Sequence, residues 1–158
     1  MSNAVWFILG VVVGLLIMGA MVWFAMPKLM MIKRKTDRTY TQAVQILTET
    51  VEKMPEWRLR LISDHQSNTA SYGKLEPICS MNICNTRLAY EILSEDANRG
   101  VTAIMPVAIG VYEDKQGQVY TSQLNVGLLG MMFGGTIARV MKLAAKDLDT
   151  IISSVGEK

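Results

Sequence analysis

The chain has 158 residues, half of them apolar, and its formal net charge is +2. This length allows one soluble domain and little more. A near-neutral charge, with no aromatic residues interleaved among the basic ones and no nucleic-acid-binding motif, predicts that nucleic acid is not a partner.

The first predicted element is a membrane span over residues 4–26, which contain no charged side chain. Their length corresponds to about 34 Å of helix, enough for a hydrocarbon core of about 30 Å. Trp6 and Trp23 lie near the two ends, where indole rings favour the membrane interface. Basic residues follow the apolar stretch and do not precede it, which disfavours a cleaved signal peptide. We therefore predict a retained single-pass anchor in the inner (cell) membrane, with the lipid bilayer as a partner.

Residues 27–37 form a basic juxtamembrane segment in this interpretation. Its positive charges, with one just beyond it, belong to Lys28, Lys33, Arg34, Lys35 and Arg38. The positive-inside rule then places the N-terminus outside and the soluble domain in the cytoplasm. The same charges would attract anionic lipid headgroups.

Within the span, Gly10 and Gly14 form a GxxxG pattern. Small residues four positions apart allow two helix backbones to approach closely, so these glycines are a candidate contact face for a second helix. The alternative is that they are ordinary glycines of a membrane helix.

The first half of the soluble part reads as a helix, a strand, a loop and a second strand. The helix is predicted from Thr36, with Thr36 or Asp37 as its cap, and Pro55 ends it. Its apolar face repeats at helical spacing through Tyr40, Ala43, Val44, Leu47, Val51 and Met54. Residues 57–65 alternate as a half-buried strand, residues 66–73 are polar, and a second strand is predicted over 75–84.

The second half reads as a helix capped by Asn85, then two strands joined by a turn at residues 115–117, then a long helix. Pro106 lacks an amide donor, so its strand should be at the sheet edge or bulged. The last helix presents an apolar stripe made of Ile137, Met141, Ala144, Leu148, Ile151 and Val155. We therefore expect an α+β domain over residues 38–155, built on an antiparallel sheet covered by helices.

Residues 126–135, "VGLLGMMFGG", are apolar and rich in glycine. They do not match a phosphate-binding loop, because no Gly-Lys-Ser/Thr follows. A tight turn, a close backbone contact, or an apolar surface that faces lipid or a partner all fit this composition. The side chains predicted to contribute to an interaction are Leu128, Leu129, Met132 and Phe133.

The two cysteines, Cys79 and Cys84, share the predicted second strand. A zinc site needs about four ligands, and with only His65 in addition the chain predicts none. Five residues apart on a strand, the two thiols would point to opposite faces and their Cα atoms would be about 16 Å apart, which excludes a disulfide. We predict that Cys79 is a core residue. Cys84 precedes the helix cap with Arg87 in the first turn, and both features lower a thiol pKa, so Cys84 is either a reactive thiol or a small buried residue.

His65 follows Asp64 at the end of a predicted strand. One histidine beside one carboxylate is weak support for a catalytic triad, so we interpret His65 as a surface loop residue.

Several segments, taken in order, resemble the domain of unknown function 302 family over about residues 38–154. They are "ISDHQ", "NICNTRLAYEIL" with Thr86 where that family usually has proline, "IMPVAIGVYEDKQGQVY" and "NVGLLGMMFGGTIARVM". The resemblance implies a small α+β fold with a curved antiparallel sheet, often dimeric, and no established reaction. Cys84 matches the family's cysteine, while Val107 stands where a second cysteine is common. Members often occur in sulfur-metabolising bacteria, so the resemblance also implies an association with sulfur.

These features predict a membrane-anchored, non-enzymatic interaction or ligand-binding module, either a homodimer or an accessory subunit of a membrane complex, with no cofactor. The alternative is a thiol-based sulfur carrier or redox protein that acts through Cys84. A third interpretation is haem or metal bound between chains.

Overall fold

The computed structural model describes residues 3–156 and begins with helix α1, Asn3–Met30. This helix continues through Pro27, and none of its side chains is buried. Its mean hydropathy reaches 2.7, and among residues 3–156 it is the one helix that is long and apolar enough to cross a membrane. A membrane anchor and a signal sequence share these properties.

Five strands form one antiparallel sheet: β1 Met31–Thr36, β2 Trp57–Asp64, β3 Ile78–Asn85, β4 Val107–Glu113 and β5 Val119–Leu124. Their order in the sheet is β1-β5-β4-β3-β2. The α+β fold on an antiparallel sheet is therefore confirmed. Strand β1 was not predicted: it lies inside the segment interpreted as a basic juxtamembrane region and pairs with β5 over its whole length.

The sheet is completed by helices α2 Tyr40–Lys53, α3 His65–Asn68, α4 Thr86–Leu93, α5 Val126–Phe133 and α6 Gly135–Ser153, and by a 3₁₀ segment, Asp96–Ile104. Helix α2 starts later than predicted. Its cap is Thr39, which forms a capping box with Gln42, because the chain up to Thr36 belongs to β1.

Helices α2 and α6 cover one face of the sheet. Alternation along β3 buries Cys79, Met81 and Ile83 against them, while Ser80 and Cys84 lie on the opposite face. We call that opposite face the open face. The predicted division of the two cysteines is thus confirmed, and both thiols are free.

The prediction for Pro106 was wrong. Strand β4 is an interior strand between β3 and β5, and Pro106 lies just before its first residue, outside the hydrogen-bonded ladder. The strand around Pro106 was predicted over residues 102–114, and residues 102–104 belong instead to the 3₁₀ segment. The turn between β4 and β5 forms as expected, with Gly117 at a positive φ of 78° and its amide bonded to the Asp114 carbonyl oxygen.

Candidate binding site at the α1 end of the sheet

The topology brings several elements to one end of the sheet. Strand β1 starts where α1 stops, and because β5 is antiparallel to β1, Leu124 pairs with Met31. Strand β3 runs parallel to β5, so its last residue, Asn85, and helix α4 lie at this end as well. We call it the α1 end.

Asn125 joins helix α5 to the last turn of α1. Its backbone amide donates to the Met30 carbonyl oxygen at 2.8 Å, and its side-chain amide donates to that of Leu29 at 3.1 Å. The side-chain oxygen accepts from the Leu128 amide at 3.0 Å and so caps α5. One residue therefore fixes the start of α5 beside the end of α1.

A small second core extends beyond the sheet at this end. It consists of Leu88, Ile92, Val101, Ile137, Val140 and Met141, from α4, the 3₁₀ segment and the first half of α6. Helix α5 lies against α6, and a Cβ atom at Gly130 would be 2.6 Å from the Met141 Cβ. Glycine at this position therefore allows the two helices to approach closely.

Between this second core and the sheet lies an apolar cavity of about 60 Å³. Its lining includes Trp57, Cys84, Leu88, Pro106, Leu129 and Met141. The indole nitrogen of Trp57 donates to Asp147 at 2.9 Å, which holds the ring between the sheet and α6. The arrangement suits an apolar group and offers few polar contacts to orient a substrate.

Cys84 is half-buried at the margin of this cavity. Burial raises the pKa of its thiol, and the nearby Arg60 guanidinium opposes this rise only in part. Of the two alternatives for Cys84, the reactive thiol required a pKa lowered by the start of α4 and by Arg87, whereas burial acts in the opposite direction. Asn85 caps α4 by accepting from the Leu88 amide at 3.0 Å, as predicted. The cap thus forms, while desolvation of the thiol has the larger effect on its pKa.

His65 lies at the opposite end of the sheet, in the short helix α3 that replaces the start of the predicted loop. Its Nε2 atom is 2.9 Å from the Ser80 hydroxyl oxygen. Within residues 3–156, no group of three or more His, Cys, Asp or Glu side chains is placed to hold a metal ion.

The predicted interaction residues fall into three environments. Gly10 and Gly14 lie on α1, where an added Cβ would meet no atom within 4 Å. Leu128 is half-buried, and Leu129 lines the cavity. Met132 and Phe133 are 69% and 53% exposed at the end of α5. The sequence interpretation omitted their neighbour, Met131, which is 74% exposed and belongs to the same apolar run.

The open face carries a cluster that the sequence did not reveal. The Lys33 ammonium lies 3.9 Å from the centre of the Tyr120 ring and 5.3 Å from that of Tyr112. The two rings stack with their centres 5.4 Å apart. A hydrogen bond to Tyr112 is the main cause that raises the pKa of Lys33. The three residues come from β1, β5 and β4, so the cluster can be predicted only when the pairing of these strands is known.

The fold and the site define a small α+β domain that follows an apolar helix and contains an apolar cavity at the helix-proximal end of its sheet. Residues 32–155 match the family described as Domain of unknown function DUF302, and the chain belongs to that family.

The chain is also similar to the crystal structure of the uncharacterized conserved protein DUF302 from Bacillus stearothermophilus. The TM-score is 0.70 at 16% sequence identity, and the match covers 80% of this chain and 98% of the other. At that identity the likeness shows the fold alone. The search of curated proteins found no match.

Proposed function

We propose that this protein is a membrane-anchored, non-enzymatic interaction module, as a homodimer or as an accessory subunit of a complex in the inner cell membrane, with its domain in the cytoplasm. The observation that supports the proposal is the concentration of apolar surface at the α1 end. The cavity lies at this end, and helix α5, whose far end is exposed, starts beside the end of the helix that is long enough to span a membrane. Exposed apolar patches of this kind are typical of contact with a protein or a membrane.

The size of the cavity favours an interaction over binding of a large ligand. Pockets for drug-sized molecules usually measure roughly 300–1,000 Å³, and this one measures about 60 Å³. It has room for one aliphatic side chain of a partner or for a short piece of an acyl chain. An apolar side chain inserted into a desolvated pocket is a common anchor of protein interfaces.

The small-residue face of α1 provides a second element of the module. Because Gly10 and Gly14 are open in the single chain, leucine at these positions would not disturb the fold of one protomer. Leucine would, however, prevent close approach of a second helix. Gly19 is equally open and is a matched control.

The test is purification of the full chain in mild detergent, with its mass measured by light scattering and co-purifying proteins identified by mass spectrometry. We expect a dimer or a stoichiometric partner with the wild type and with Gly19→Leu, and weakened association with Gly10→Leu/Gly14→Leu. A wild-type chain that is monomeric and purifies alone would contradict the proposal. Association that persists unchanged in the double variant would show that the Gly10 and Gly14 face of α1 does not contribute to the interaction.

One observation favours the alternative of a thiol-based sulfur carrier or redox protein: Cys84 lines the cavity, where an apolar environment could protect a modified sulfur. The raised pKa of Cys84 opposes it, because the thiolate is the reactive form. Rapid modification of Cys84 in the native protein at neutral pH would favour this alternative.

A further inference from the structure

We propose that the end of helix α5 inserts into the same membrane leaflet from which α1 emerges, so that the domain contacts the bilayer at two places. We define the α5 tip as residues 131–135. This inference rests on the anchoring role of α1 that is part of the proposed function. The occupant of the exposed apolar surface at the tip is then the lipid of that leaflet.

The first argument is the direction in which α6 runs. Near its C-terminal end, Asp149 accepts a hydrogen bond from the Arg34 guanidinium on β1. Farther along, the Val155 carbonyl oxygen accepts from the Thr36 hydroxyl at 2.8 Å, at the end of β1 that is farthest from α1. Helix α6 therefore runs away from the α1 end, and its first residues point back toward that end.

The second argument is how far the α5 tip projects. An added Cβ at Gly127 would lie 3.3 Å from the Cβ of Ala145, which places these two residues at the same level of the α5–α6 pair. Ten residues of α6 precede Ala145, from Gly135 onward. At 1.5 Å per residue they extend about 15 Å beyond that level. The tip thus lies well outside the sheet, on the side where α1 leaves the domain.

The third argument compares this reach with the membrane boundary. If Trp23 lies in the interface, Leu29 is about 9 Å above it, from the rise of six helical residues. Asn125 is hydrogen-bonded to Leu29, so α5 starts at that height. From Val126 to Phe133 the helix rises about 11 Å. A helix that points back toward the bilayer therefore reaches the boundary between headgroups and acyl chains, where interfacial apolar side chains insert.

The charges around the α5 tip are compatible with this placement. Residues 126–135 contain none. Two acidic side chains that contact the first turns of α6 are engaged: Glu95 accepts from the Thr136 hydroxyl at 2.7 Å, and Glu91 forms an ion pair with Arg139 at 2.6 Å. Lys28 lies in the last turn of α1 and can contact anionic headgroups.

The test uses the full chain in nanodiscs of phosphatidylcholine and phosphatidylglycerol, with an environment-sensitive fluorophore attached to a single introduced cysteine. Met132→Cys places the fluorophore on the tip, and Leu61→Cys, exposed on the open face, is the matched control. Val13→Cys reports on the middle of α1. Wild-type protein treated with the same reagent measures labelling of the two native thiols, whose pKa values are raised by burial.

Quenching by lipids that carry a doxyl group near the headgroup gives the answer. We expect the Met132→Cys label to be quenched about twofold more strongly than the Leu61→Cys label. Equal, weak quenching at both positions, with Val13→Cys strongly quenched by lipids doxylated deep in the acyl chain, would overturn the inference and leave the anchor intact. An unquenched Val13→Cys label would overturn both the anchor and this inference.

Discussion

Replacement of Trp57 by phenylalanine tests how the α1 end of the domain is held together. Trp57 is 1% exposed, it lines the cavity, and its indole nitrogen donates to the Asp147 carboxylate at 2.9 Å. Phenylalanine keeps an aromatic ring at this position but cannot donate the hydrogen bond. It also leaves space beside a cavity that is already present. Both effects should lower the free energy of unfolding.

The size of the effect follows from these two contributions. A hydrogen bond to a charged group contributes about 1.5–3 kcal/mol, and the lower end applies because the half-exposed Asp147 carboxylate regains water when the donor is lost. If phenylalanine leaves roughly 40 Å³ more empty space, the cost of about 24 cal/mol per Å³ of cavity adds about 1 kcal/mol. We therefore expect Trp57→Phe to destabilise the domain by about 2–3 kcal/mol.

The assay is urea unfolding of the full chain in mild detergent, followed by circular dichroism. Tyr90→Phe, at a side chain that is 75% exposed, is the control, and it should change stability by less than about 0.5 kcal/mol. Asp147→Ala should destabilise the wild type by more than it destabilises Trp57→Phe, with a coupling energy of about 1 kcal/mol. A loss below about 0.5 kcal/mol for Trp57→Phe, or the absence of coupling, would refute the reasoning.

Three further predictions concern the thiols and the α5–α6 contact. Cys84 should react with iodoacetamide at neutral pH much more slowly in the native protein than in urea, because burial raises its pKa; equal rates would contradict this. Burial also raises the pKa of Cys79, so the folded protein binds more protons than the unfolded chain above about pH 9. The urea concentration at the midpoint of unfolding should therefore be steady below that pH and fall above it. The fall should be shallower in Cys84→Ala. A midpoint that rises above that pH would be evidence against the raised pKa values of the two thiols. Gly130→Ala should destabilise by about 1–2 kcal/mol because its Cβ overlaps that of Met141, even though alanine favours a helix. Gly127→Ala, with a nearest contact of 3.3 Å, should change stability by less than about 0.5 kcal/mol, and equal losses at the two glycines would contradict the packing argument.

The elements that could be predicted from the sequence are those whose pattern is local. In β3 the alternation of Cys79, Met81 and Ile83 with smaller polar residues predicted which side chains are buried. Strand β1 could not be found in this way. Three of its six side chains are basic, and it is a strand because β5 pairs with it, which no local pattern shows. The position of Pro106 was predicted wrongly for a similar reason. Proline cannot donate to the hydrogen-bonded ladder, and in the structure Pro106 lies between the end of the 3₁₀ segment and the start of β4.

Cys84 shows how a local rule can predict the geometry correctly and leave the chemistry open. Its place before the cap of α4 was predicted, and a helix start does favour a thiolate. The field of one helix turn is a short-range effect, however, and the thiol is half-buried at the margin of the cavity, where desolvation has the larger effect on its pKa. Helices α4, α5 and α6 meet around that cavity at the α1 end, which is a property of the tertiary structure. The same convergence lines the cavity and leaves the α5 tip exposed. The apolar end of the domain, next to the apolar helix α1, is therefore the feature on which the proposed interaction depends.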